Sequence, residues 1–120
     1  MKKVYYNSAC PVCAAGIRRQ RSRLESCAET VEWIDVQVDN EAVENINADL
    51  EFVRERLHVT DRDGNLHVGA DAVCELMAIT PGQRLVARLA RLPVARSLLR
   101  AAYNAFAAGL YRWNRRAGRW

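Results

Sequence analysis

The run Lys3-Val4-Tyr5-Tyr6 is short, β-prone and ended by the polar pair Asn7-Ser8, which predicts a first strand. Beyond Pro11 the spacing becomes helical. Ala14, Ile17 and Leu24 recur on one face while Arg18, Arg19, Arg21 and Arg23 fall mostly elsewhere, so a helix is predicted over about residues 11–26. Pro11 suits the first helical position, where its missing N–H would have had no partner. Val31, Trp33, Val36 and Val38 lie in a mostly β-branched segment, a second strand near 31–36 with Trp33 expected in the core. Asp39 or Asn40 is placed to cap a helical stretch carrying Ala42, Val43 and Ile46, and Asn47 to start a further turn or two through Leu50 and Val53.

The clearest hairpin follows. Leu57-His58-Val59-Thr60 and Leu66-His67-Val68 flank a turn centred on Asp63-Gly64, which places His58 and His67 opposite each other in cross-strand packing or on a solvent face. After Gly69, Val73, Cys74, Leu76 and Met77 mark a helix over roughly 70–79, closed by Pro81-Gly82. The order β-α-β-α-β-β-α has loops that suit a parallel βαβ unit followed by an antiparallel hairpin. That is an α/β protein with the mixed four-stranded sheet of a minimal thioredoxin-like fold. Residues 83–116 add helices interrupted at Pro93. With 120 residues, half of them hydrophobic, one domain is expected: a core over 1–82 and a helical extension over 83–120 in the same globule.

Charge divides the chain unevenly. All 14 acidic residues lie within residues 1–80, which carry a formal net −5; residues 81–120 hold nine arginines and no acid, a net +9. The basic start at Lys2-Lys3 has no apolar run behind it, and no stretch is long enough to span a bilayer, so a reducing cytoplasm is the expected setting. In that compartment the four cysteines do not read as a disulfide scaffold, and Cys10-Pro11-Val12-Cys13 draws attention as a reactive pair.

The order strand, short loop, cysteine, helix puts Cys10 at a helix N-terminus and Cys13 one turn inside. There the unpaired backbone N–H groups and the helix dipole favour a thiolate, the nucleophile of disulfide exchange. Cys10 is therefore expected to attack a substrate disulfide and Cys13 to resolve the mixed disulfide, with Pro11 shaping the loop and Asn7 as a polar neighbour. A zinc site would need two more closely spaced ligands, and Cys27, Cys74, His58 and His67 are singletons; no metal or cofactor is expected. Cys74 is assigned to the core, and Cys27 to a bland surface or core role ahead of a regulatory one.

Tyr6-Asn7-Ser8-Ala9-Cys10-Pro11-Val12-Cys13 resembles the signature of the DCC family of thiol–disulfide oxidoreductase-like proteins, Asp-x-x-Cys-x-x-Cys near the N-terminus. The stretch from Leu57 to Ala72 is similar to the family's hairpin and following helix, and the Arg- and Tyr-bearing tail continues the likeness over nearly the whole chain. The resemblance implies a thioredoxin-like fold and a redox role. The chain departs from the pattern at Asn7, where the family has aspartate, and at Ser8, where glycine is frequent. It also has no proline around Glu55-Arg56-Leu57, where thioredoxins place a cis-proline.

The expected partners are a disulfide-containing protein or a low-molecular-weight thiol, with a reducing dithiol system or glutathione as electron donor. In 83–120, arginines alternate with Leu85, Val86, Leu89, Leu92, Leu98 and Leu99 and lead into Tyr103, Phe106, Tyr111 and Trp113. The first reading is a pair of amphipathic helices packed on the sheet, with arginines turned to solvent or to the acidic part. The alternative is a catalytically weak binding module that touches a membrane surface or an acidic partner through these helices. Nucleic acid ranks last, because a basic patch without a binding motif gives only non-specific attraction.

Overall fold

The computed structural model describes residues 2–24 and 31–120, so Cys27 and the last predicted residues of the first helix lie outside the described residues. Strand β1 (Lys2–Tyr6) sits between β2 (Val31–Asp35), parallel to it, and β3 (His58–Thr60), antiparallel to it; β4 (Leu66–Val68) completes the order β2-β1-β3-β4. Helix α1 (Pro11–Leu24) lies on the crossover that a parallel pair requires. The β3–β4 loop is closed by Asp61, whose Oδ1 accepts the N–H groups of Asp63 and Asn65, both at 2.9 Å. Gly64 occupies the left-handed region there, at φ +84°. This mixed α/β arrangement is the thioredoxin-like fold.

Successive residues of β1 point to opposite faces, and both faces are covered. Val4 joins Ile17, Leu24, Val59, Ala72 and Leu76 in a core beneath α1 and α3 (Ala70–Ala78). Tyr5 joins Val36, Ala42, Val43 and Val53 in a second core beneath a 3₁₀ segment (Asn40–Ile46) and α2 (Leu50–Glu55). Asp49 caps α2 by accepting the Phe52 N–H at 3.2 Å, whereas Asp39 makes no such bond at the start of the 3₁₀ segment.

Helices α4 (Arg84–Ala90) and α5 (Pro93–Arg116) follow, with Pro93 in the first turn of α5 and the preceding Leu92 extended, as a residue before proline prefers. They pack chiefly against α3, and α5 also against α2, so the extension lies on the helical layers and not on the sheet as expected. Its arginines do meet the acidic part. Arg91 pairs with Glu75 at 2.9 Å and Arg100 with Asp71 at 2.7 Å.

The structure departs from the sequence expectations at three residues or pairs. His58 pairs with Val68 and His67 with Val59, so the histidines stand on adjacent rungs and opposite faces of the hairpin. His58 is buried, edge-on to Phe52, while His67 Nε2 lies 3.0 Å from Asp61 Oδ2. Cys74 is half-buried, because its side of α3 faces the arginines of the extension and not the sheet. Trp33 is half-buried too: it stands on edge strand β2 and packs against the first core from its margin, with the Arg21 guanidinium 5.6 Å from the ring centre.

Candidate active site

The loop after β1 is tied down by short-range bonds. Ser8 N–H donates to Asp35 Oδ1 at 3.2 Å, and Ala9 N–H to Asn7 Oδ1 at 3.1 Å. Cys10 then takes the position that caps α1. Its carbonyl accepts the Ala14 N–H at 2.9 Å, and its Sγ accepts the Cys13 N–H at 3.3 Å. A sulfur thus stands where a serine or aspartate oxygen commonly satisfies the third helical N–H, and the bond favours sulfur as an anion.

The electrostatics follow from that placement. The Cys13 thiol hydrogen bond, the Cys13 N–H, the Asn114 side chain and the Val12 N–H together lower the Cys10 pKa to about 6, against the opposing effect of burial. Cys13 is pushed the other way, because its proton is held against Cys10, it is desolvated and its neighbour is charged. The two titrate as a pair in which Cys10 carries the charge and Cys13 the proton. Both cysteines are free thiols in this structure.

Access to the two sulfurs differs. Cys10 has no exposed surface, while Cys13 is half-buried and lines a cavity of about 350 Å³ that Cys10 does not reach. The cavity is walled by Val12 and Ile17 of α1, Met77 of α3, and Phe106 and Leu110 of α5. The expectation that Cys10 meets the substrate first therefore requires its cover to move. Asn7 is buried at 2 % exposure and lines the same cavity; its Oδ1 is engaged by Ala9, and its Nδ2 has no partner among the described residues. Pro11 is exposed in the first turn of α1.

Two residues of the site belong to no motif that marks them in the sequence. Asn114, 1 % exposed, comes from the far end of α5 and bonds to Cys10. Tyr103 lines the cavity, and its hydroxyl accepts the Leu57 N–H at 3.0 Å, fastening α5 to the start of the hairpin. One signal for Asn114 existed. It falls on the same helical stripe as Tyr103, Ala107 and Leu110, where a buried polar residue needs a partner. Among the described residues, no three His, Cys, Asp or Glu side chains converge as a metal site, and no helix is long and apolar enough to cross a membrane.

The sequence pattern of the family described as DCC1-like thiol-disulfide oxidoreductase matches residues 4–116. No curated protein and no solved structure matches the chain.

Proposed function

The chain belongs to the DCC1-like thiol-disulfide oxidoreductase family, and from that premise we propose that Cys10 and Cys13 are its dithiol/disulfide centre. The family gives the general role, thiol–disulfide oxidoreduction. The observation that carries the assignment to this pair is the Cys13 N–H directed at Cys10 Sγ at the N-terminus of α1. It supports an anionic sulfur with a second thiol one helical turn away. A thiolate with a pKa of about 6 is about nine-tenths ionised at pH 7, against a few per cent for a free cysteine.

Exchange at the pair makes a mixed disulfide with the substrate and then closes or opens the Cys10–Cys13 bond, moving two electrons. Asn7 takes no proton in this chemistry, because a carboxamide is not basic; it offers a hydrogen-bond donor. In a reducing cytoplasm the substrate is a disulfide-containing protein, after whose reduction glutathione or a reducing dithiol system resets the pair, or a low-molecular-weight thiol, after whose oxidation a disulfide resets it. A disulfide-exchange assay on wild type and Cys10→Ser tests the assignment. The variant is expected to lose exchange to background, and equal rates in both would remove the pair from the mechanism.

A second reading, contact with an anionic membrane surface, is favoured by one observation. Leu85, Val94 and Leu98 are 66 %, 74 % and 66 % exposed along helices that carry arginines and no acid. Sedimentation with anionic liposomes is expected to retain the full chain at low salt and release it at high salt. Absence of binding at low salt discards this reading.

A further inference from the structure

We infer that the substrate is a thiol carried on an apolar body, that it meets the disulfide form of the pair at Cys13 Sγ from the cavity between α1, α3 and α5, and that Cys10 is the sulfur it displaces. This rests on the reading of Cys10 and Cys13 as the redox pair and deepens it, giving the direction of exchange, the sulfur attacked and the substrate class.

Access is the first reason. Of the two sulfur-bearing side chains, Cys13 borders the cavity, and Cys10 is covered with no exposed surface. The second is what waits for each sulfur once the bond between them breaks. Cys10 has its acceptor role prepared by the Cys13 N–H at 3.3 Å and by the Asn114 side chain, so it is the sulfur built to depart as an anion. A leaving thiolate supported in this way departs faster, and support for the dithiol form makes the disulfide form the stronger oxidant. The third is the cavity itself. Val12, Ile17, Met77, Phe106 and Leu110 give it apolar walls, and about 350 Å³ is within the range of small-ligand sites. Its buried wall also holds Asn7 Nδ2, a donor with no partner among the described residues, which a carbonyl or similar acceptor near the substrate sulfur would satisfy.

The chemistry balances in two exchanges. A substrate thiolate attacks Cys13 Sγ, forming a substrate–Cys13 disulfide while the Cys10–Cys13 bond breaks and its electron pair leaves on Cys10. A second substrate thiolate attacks the substrate sulfur of that mixed disulfide, releasing the oxidised substrate as a disulfide. Cys13 leaves as a thiolate, takes up a proton and returns to its hydrogen bond with Cys10. Two thiols have lost two electrons and two protons; the pair has gained two electrons and is reset by a low-molecular-weight disulfide, which is reduced to two thiols.

The test uses the full chain with the pair oxidised. It is exposed briefly to 2-phenylethanethiol or to 2-mercaptoethanesulfonate at equal thiolate concentration and quenched in acid, and the adduct is located by peptide mass spectrometry. The expected result is an adduct on Cys13, formed roughly tenfold faster with the phenylethyl thiol because its apolar body leaves water for the cavity. An adduct on Cys10 overturns the inference and leaves the redox pair standing. Equal rates for the two thiols overturn the apolar substrate class. An oxidised pair that gives no adduct at either cysteine overturns the redox reading itself.

Discussion

Strand β1 is five residues long and buries Val4 and Tyr5 on opposite faces of the sheet, whereas α5 is 24 residues long and buries Ala107 and Asn114. The same contrast separates the two halves of the charge distribution. The acidic part builds two apolar cores around a sheet; the arginine-rich helices leave Leu85, Leu89, Leu92 and Leu98 more than half exposed. What holds α5 in place is a set of polar anchors: Tyr103 on Leu57, Arg100 on Asp71, Tyr111 on Glu51 and Asn114 on Cys10. The sheet sets where Cys10 and Cys13 are; α5 sets how Cys10 is covered and what its sulfur touches.

Three substitutions sharpen that contrast. Leu76→Ala, in the core beneath α1 and α3, is expected to cost about 2–5 kcal/mol through lost burial and the cavity left behind, read as a fall in the denaturation midpoint. Asn114→Leu keeps the branched shape, at some added volume, and removes the hydrogen bond to Cys10. Because that bond favours the anion, its loss raises the Cys10 pKa from about 6 by about one pH unit, the worth of a bond to a charged group. The sign is fixed by the chemistry: the thiolate reacts and the thiol does not, so alkylation of Cys10 falls as pH drops through the midpoint. The variant's whole profile should therefore move to higher pH, followed by thiolate absorbance or iodoacetamide rate; an unmoved profile removes Asn114 from the site. Leu98→Ala, at 66 % exposure on α5, should change stability by less than about 0.5 kcal/mol. A cost near that of Leu76→Ala would mean that the extension is packed like the sheet core after all.

Much of the fold was legible because its signals are local. The first strand, the proline-started helix, the Asp63-Gly64 turn, the helix after Gly69 and the break at Pro93 each depend on residues within one turn of one another. The histidine pairing differs by one residue from what the turn residues suggest, because a five-residue loop between Thr60 and Leu66 sets which positions face each other, and a shift of one rung exchanges the faces. Residue type and apolar spacing place Cys74 in the core, and neither registers what a later segment brings against it. Its helix has two covered sides, and one of them is lined by arginines that arrive from later in the chain.

The sequence by itself determined that two thiols share a helix start, since a cysteine before proline, a short loop after a strand, has little choice of position. Only the tertiary structure decided which of them faces a cavity and which is shut away. That outcome depends on Asn114 and Tyr103, brought from the far end of the chain by the packing of α5 on α2 and α3. Local spacing carries no record of such an approach, because its free energy comes from surfaces that meet only after the sheet and its helices have formed.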